Sequence, residues 1–352
     1  MKPTDPNLLY QNVVRKLERD GKVLRYWDLK GGVSARLTVI EMSVPDGPPE
    51  KVVVRRFGEA DLRRNPDLAS DQFRLLLSLR RAGLAVPTPY MLDASGEIFA
   101  DPYLVLEYIE GSTELAPSEI ESGTYQLAAH LAEIHRFPGT HRAVSRLPKV
   151  DELCAAELRR PKAYNLDSSP KGAHGGAKED PAAGLTEDFT REERIREILN
   201  CVTPLPQRNL PVLLHGDYWP GNVVWQDGRI AAVIDWEDAA VGDPLADVSN
   251  ARLEILWAFG PDCMDDFTRH YRTLMPETDL RALPYWDLYA AFRLAPSKFA
   301  AWGLDTEKET IMRERHSWFV YQALERLKGN TPQVAEGAFE GRGDPDAFES
   351  DH

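Results

Sequence analysis

The run LLHGDYWPGNVVWQDGRIAAVIDWEDAAVGDPLAD, Leu213 to Asp247, decides how the rest of this chain is read. Val212–Leu214 reads as a short apolar strand that delivers His215, Gly216 and Asp217 to its end, where a loop on a rigid base can carry chemistry. Asn222–Trp225 and Arg229–Ile234 are two short runs around Asp227-Gly228, a dipeptide that favours a type I′ hairpin turn. With those two as the turn residues, Gln226 faces Arg229 and the register runs back to Asn222 opposite Val233. Asn222 and Asp235 then share the open end of the hairpin.

An amide oxygen and a carboxylate converging there, close to Asp217, make a hard-oxygen site suited to Mg²⁺. Phosphoryl transfer needs such a set, because the attacking hydroxyl must be oriented and relieved of its proton while charge between the phosphates is neutralised. Asp217 suits the first task, Asn222 and Asp235 the second.

Outward from this run, the chain divides. Ahead of it, residues 6–20 read as a charged helix, and Ala35–Met42 and Lys51–Phe57 as strands joined through ValProAspGlyProPro. Residues 67–82 read as an amphipathic helix stopped by Gly83, and Tyr103–Ile109 as a further strand. From Tyr125 onward the patterns are helical, at YQLAAHLAEIH, Ala246–Phe259, Asp265–Leu274, Trp286–Phe292 and Arg313–Leu327. The expected fold is α+β and bilobal: a small sheet-containing N-lobe over residues 1–107 and a mainly helical C-lobe over 108–329. Residues 163–187, rich in Gly, Pro, Ser and charge, are expected to be a flexible insertion, and 330–352 a disordered tail.

Composition narrows the partners. The balance of 42 basic against 56 acidic residues, a formal charge of −14, repels phosphate backbones, so no nucleic-acid partner is expected. The start lacks a basic segment followed by an apolar core, and no apolar run approaches the roughly 18 residues of a membrane span. A cytoplasmic protein with no membrane partner is the expectation. Cys154, Cys201 and Cys263 lie far apart and in no CxxC spacing, which suggests neither a disulfide framework nor a zinc site.

HGDYWPGN followed by IDWEDAAVGDPLAD resembles the HGDxxxxN and IDxxxxxxGDPxxD pattern of the aminoglycoside phosphotransferase family. The resemblance implies a protein-kinase-like fold and a small-molecule kinase using Mg²⁺ and ATP or GTP, with a hydroxyl of a small molecule as acceptor. It implies Asp217 as the catalytic aspartate, Asn222 and Asp235 as metal ligands, and Asp247 as the residue that ties down the catalytic loop. Gly31, Gly32 and Ser34 are similar to the family's phosphate loop, although Ala35 stands where Asn is usual. Arg55 is the implied phosphate contact, with Arg56 on the opposite face and Asp71 or Gln72 in the place of the usual helix glutamate. PYLVLEYIEG is similar to the interlobe hinge, which implies purine contacts from backbone groups near Glu107 to Ile109. Glu237 is open between a further metal ligand and a solvent-facing acid. The acidic charge, with Tyr218 and Trp219 beside the loop, suggests a cationic or amphipathic acceptor. The missing helix glutamate leaves a nucleotide-binding pseudokinase with a regulatory role as the alternative.

Overall fold

The structure, a computed structural model, describes residues 5–29, 35–45, 47–159 and 181–329. The chain opens with helix α1 (Pro6–Leu17) and continues through strands β1 (Lys22–Asp28), β2 (Ala35–Ser43) and β3 (Glu50–Phe57). Helices α2 (Glu59–Arg64) and α3 (Leu68–Arg81) follow, then β4 (Pro89–Asp93) and β5 (Tyr103–Glu107). The five strands form one antiparallel sheet in the order β1-β2-β3-β5-β4.

Period-2 alternation explains what each face of that sheet does. In β3, Val52 and Val54 enter a core with Tyr10, Val13 and Val14 of α1, while Phe57 and the partly buried Val53 join the core beneath the other face. Arg55 shares that second face and is 6% exposed; Arg56 lies on the first, its guanidinium 4.4 Å from the Phe99 ring centroid.

β1, β4 and α2 are not among the elements read from sequence. β1 is mostly exposed and interrupted by a register shift between Val23 and Arg25, so it lacks the alternation of a half-buried strand. β4 begins at Pro89, which suits the edge position it occupies. α2 has six residues, too few to show a helical period.

The second lobe is built from α4 (Ile120–Arg136), α5 (Val150–Arg159), α6 (Pro181–Cys201), α7 (Leu245–Phe259), α8 (Pro261–Leu274), α9 (Leu283–Arg293) and α10 (Thr306–Gly329). Between α6 and α7 run β6 (Val212–Leu214), β7 (Val223–Gln226), β8 (Arg229–Val233) and β9 (Ala240–Gly242). The expected flexible insertion is corrected where it can be followed: residues 181–187 are the first turns of α6, and 163–180 lie outside the described residues, as does the tail 330–352. Arg and Glu in the later part of α6 are good helix formers, and Ile195 and Leu199 are buried in the core that α9 shares. No helix among the described residues is long and apolar enough to cross a membrane.

α7 is the axis of this lobe, with Val248, Ala251, Leu253 and Ile255 buried among α8, α9 and α10. A charged pair crosses its interior: Arg252 Nε and Nη2 donate to the two carboxylate oxygens of Asp287 on α9, at 3.1 and 3.2 Å, with both side chains almost fully buried. Removing one member of such a pair strands the other charge, at a cost of about 3–5 kcal/mol. Asp287→Ala is therefore expected to lose stability of that order in equilibrium denaturant unfolding. A loss below about 1 kcal/mol, the range of ordinary substitutions, would show that the pair does not brace the lobe.

Candidate active site

β6 and β9 pair over three residues, Val212 with Gly242 through Leu214 with Ala240, and this short ladder leads into the loop His215, Gly216 and Asp217. Gly216 has φ 84°, and a Cβ there would lie 1.9 Å from the Asp238 carbonyl oxygen, so the turn admits no side chain. His215 is fully buried: its Nε2 faces the Ile234 carbonyl at 2.9 Å, its Nδ1 is 3.3 Å from the Asp217 N–H, and its ring packs on Trp236. With Nε2 donating and Nδ1 accepting, it positions the loop and has no free nitrogen for proton transfer.

The loop is held from below by Asp247 in the first turn of α7. One carboxylate oxygen accepts from the His215 N–H at 2.7 Å, the other from the Gly216 N–H at 2.9 Å, and His135 approaches at 3.3 Å. Burial by itself would raise the Asp247 pKa, but the His135 hydrogen bond and the charges and amides around it bring it below the usual carboxylate range. Asp243 has a simpler role, accepting from the Leu245 N–H at the start of α7.

Asp217 and Asn222 are in direct contact: Asn222 Nδ2 donates to the Asp217 carboxylate at 3.0 Å and to its carbonyl at 2.9 Å. Burial pushes the Asp217 pKa up, the Arg293 guanidinium opposes this, and Asp238 and Asp235 reinforce it. The hairpin register differs from the expected one. Asp227 and Gly228 do occupy the turn, at φ 50° and 71°, and Gln226 does face Arg229. An irregularity between Val224 and Trp225 then sets Val223 opposite Val233, and the Asn222 carbonyl accepts from the Ile234 N–H rather than facing Val233. One extra residue in one strand slips the pairing by one.

Asp235 follows Ile234 in the left-handed region, φ 64° and ψ 61°, which Asp tolerates better than most residues. Its carboxylate meets Arg55 Nη2 at 3.0 Å, and Glu237 meets the same nitrogen at 2.6 Å. The expected partners of Arg55 are thereby corrected. Asp71 instead faces Arg74 at 3.3 Å and Arg146 at 3.9 Å, and Gln72 is buried with its Nε2 unpartnered. The acids for Arg55 come from the segment after the hairpin, and Glu237 is not a solvent-facing acid.

The remaining expected residues lie away from this cluster or outside the described residues. Glu107 is tied to Thr88: its N–H donates to the Thr88 carbonyl at 2.8 Å, and its carboxylate accepts from the Thr88 N–H and hydroxyl at 3.0 and 2.6 Å. That N–H is therefore not free for a purine, while Ile109 lies half-buried just past the strand. Gly31, Gly32 and Ser34 lie outside the described residues. Tyr218 is fully buried with its hydroxyl donating to the Leu127 carbonyl, which corrects its expected place beside an acceptor; the Trp219 ring lies over Gly221. No group of three or more His, Cys, Asp or Glu able to hold a metal occurs among the described residues.

Residues 31–286, well over half of the chain, match the model of the phosphotransferase enzyme family. The chain belongs to this family. The chain is 26% identical over 208 residues to acyl-CoA dehydrogenase family member 10 of Mus musculus, which covers 56% of this chain but 18% of the relative. It thus spans under a fifth of that relative's length. It is 26% identical over 246 residues to homoserine kinase of Methylocella silvestris, covering 65% of this chain and 68% of the kinase. A structure from Ralstonia eutropha provisionally assigned as an aminoglycoside phosphotransferase superposes with a TM-score of 0.61 at 13% identity, covering 92% of this chain and 99% of the other, a likeness of fold.

In this member of the phosphotransferase enzyme family one residue at the site escaped sequence reading. Arg293, the last residue of α9, donates from Nη1 to the Gly216 carbonyl at 2.7 Å and holds Nη2 3.6 Å from the Asp217 carboxylate. The available signal was an arginine closing a helix that is apolar apart from Asp287, which reads equally well as a favourable helix C-terminus.

Asp247→Asn is expected to replace one anchored oxygen by an amide N–H₂ and to lower stability by about 1.5–3 kcal/mol, the worth of a hydrogen bond to a charged group. Hydrogen exchange at the His215 and Gly216 amides should accelerate. Because the folded pKa of Asp247 lies below its unfolded value, its stabilisation is present above the ordinary carboxylate range and is lost as pH falls through the lowered pKa. The parent and variant unfolding free energies should therefore converge at acid pH; a gap that stays constant on acidification would refute this account.

Proposed function

We propose that this chain transfers the γ-phosphoryl group of ATP or GTP to a hydroxyl of a small molecule, between an N-lobe ending near residue 107 and a C-lobe over 108–329. The observation that carries this reading is the gathering of Asp217, Asn222, Asp235 and Arg55 at one loop edge between sheet and helices. Asp217 orients the acceptor hydroxyl and takes its proton as the oxygen bonds to the γ-phosphorus. The bond to the bridging oxygen then breaks and the nucleoside diphosphate leaves. Arg55 contacts the phosphates, Gly31, Gly32 and Ser34 approach them through backbone, and the purine lies along the segment from Glu107 to Ile109. In keeping with the chemistry its name describes, homoserine kinase points the same way.

Mg²⁺ suits the donor set, which is all oxygen: the Asn222 amide oxygen and the Asp235 carboxylate. Mg²⁺ is commonly held by one or two protein groups with phosphates and water completing its shell, so a larger acidic cluster is not required. Bound there, it supplies neutralisation of charge between the phosphates. Asp235 is shared with Arg55 at 3.0 Å, so metal and phosphate must together take over the partners that these two side chains give each other.

Asp217→Asn keeps the shape and removes the base, so kcat should fall about 10²–10⁴-fold while nucleotide Kd and Tm stay near the parent values. The ionised carboxylate is the active form, and its pKa is raised, so activity should climb with pH through a limb above the ordinary aspartate value near 3.9. Normal turnover by a well-folded variant, measured with ATP and GTP in parallel, would leave a nucleotide-binding regulator as the better reading.

Asp235→Asn should weaken binding of the magnesium nucleotide more than binding of the metal-free nucleotide, since the change removes a hard anionic oxygen. Calorimetry with Mg²⁺ and with a chelator reads the two separately. Equal losses in both would assign Asp235 to the protein alone.

A further inference from the structure

A cavity of about 290 Å³ opens beside the catalytic loop, with Gly216 and Asp238 on one side and Glu157, Tyr289, Arg293 and Lys298 on the other. Resting on the phosphotransfer reading, we propose that the acceptor carries an anionic group, a carboxylate or phosphate, that Arg293 and Lys298 hold while its hydroxyl faces Asp217.

The geometry of Arg293 is the main support. Its guanidinium has five N–H donors, and the hydrogen bond its side chain donates among the described residues goes to the Gly216 carbonyl. The Asp217 carboxylate, at 3.6 Å, is beyond hydrogen-bond distance. Donors therefore remain for a planar two-oxygen ligand, the geometry that arginine matches best. An anion on Arg293 and a hydroxyl on Asp217 would be a few bonds apart in the same small molecule.

Of the neighbouring acids, Asp217 faces Arg293 as an ion pair without a hydrogen bond, and the others have partners or surroundings of their own. Asp247 has both oxygens bonded to backbone amides. Burial and the nearby Asp217 charge raise the pKa of Glu254, which weakens its pull on Arg293. Glu157 receives the Tyr289 hydroxyl at 3.2 Å and stands 3.6 Å from Lys298, whose ammonium also reaches the Arg293 carbonyl. Arg64 adds a third cation from the sheet side, paired with Asp61. Arg64, Arg293 and Lys298 thus balance Glu157, Asp247 and the exposed Asp238, so the cavity is locally neutral in a chain whose formal charge is −14. The cationic acceptor expected from the overall charge would meet the like charges of Arg293 and Lys298 at this end of the cavity.

The test is an acceptor panel on the magnesium-nucleotide-loaded protein. It contains straight-chain hydroxy acids of increasing length, glycerol phosphates, the matched hydroxy amides, and the matched amino alcohols. The expected result is phosphorylation of the anionic members, with kcat/KM lower for the amides by roughly 10- to 150-fold, the loss of one or two charge-assisted hydrogen bonds. Comparing hydroxy acids with glycerol phosphates separates carboxylate from phosphate recognition.

Arg293→Gln should raise KM for the anionic acceptors by a similar factor, Arg293→Lys should restore part of it, and Lys298→Ala should act in the same direction less strongly. Nucleotide Kd should not move. Equal loss of kcat on charged and neutral acceptors would make Arg293 a positioning residue for Asp217 and overturn the proposal, as would preferred turnover of amides or amino alcohols. Calorimetric binding of the same panel to the protein with a non-hydrolysable nucleotide reads the anion site without turnover. Arg293-dependent anion binding with no phosphorylation would sink the phosphotransfer reading and leave the site; phosphorylation without anion preference would do the reverse.

Discussion

The grip of the Asp247 carboxylate on two successive amides, those of His215 and Gly216, is the constraint on which the rest of the site depends. A buried carboxylate is costly unless its oxygens are hydrogen-bonded, and a loop with a glycine in a left-handed conformation is mobile unless its amides are engaged. Each satisfies the other. Because Asp247 belongs to the first turn of α7, and α7 is buried along most of its length, the loop inherits the rigidity of the helical lobe. Asp217, the next residue, is therefore presented from a fixed base although its own side chain is about one-third exposed.

A second constraint joins the lobes electrostatically. Arg55 is buried in the sheet, and a guanidinium there requires anionic partners. The usual source in the family pattern, an acid on the helix after the strand, is replaced by Gln72, and the charge is met across the cleft by Asp235 and Glu237. The sheet and the segment after the hairpin are thus tied by the same side chains proposed to meet the nucleotide and its metal. On that proposal, ligand binding and the tie between the two lobes draw on the same side chains.

Much of the architecture was legible because it rests on periodicity. The valines of β3 alternate cleanly enough to put Arg55 and Arg56 on opposite faces, and α4 and α8 carry clear amphipathic patterns. The elements missed were those with weak patterns, such as the exposed, bulged β1 and the six-residue α2. α6 was missed because its early residues carry little apolar signal, and its burial comes through Ile195 and Leu199 against other helices. The hairpin register failed by one residue because a bulge leaves no mark on the dipeptide at the turn.

By itself the sequence determined the chemistry available: an HGD loop, an asparagine five residues on, a carboxylate after a hairpin, and a basic residue in an alternating strand. These are local properties, set by residue type and short-range spacing. The tertiary structure alone decided who faces whom: Arg55 with Asp235 and Glu237 across some 180 positions of chain, Asp247 beneath the loop, Tyr218 turned into the core, and Arg293 brought from the end of α9 to the Gly216 carbonyl. Such pairings depend on packing between distant segments, where burial forces each charge to find a partner, and no local pattern encodes which partner it will be.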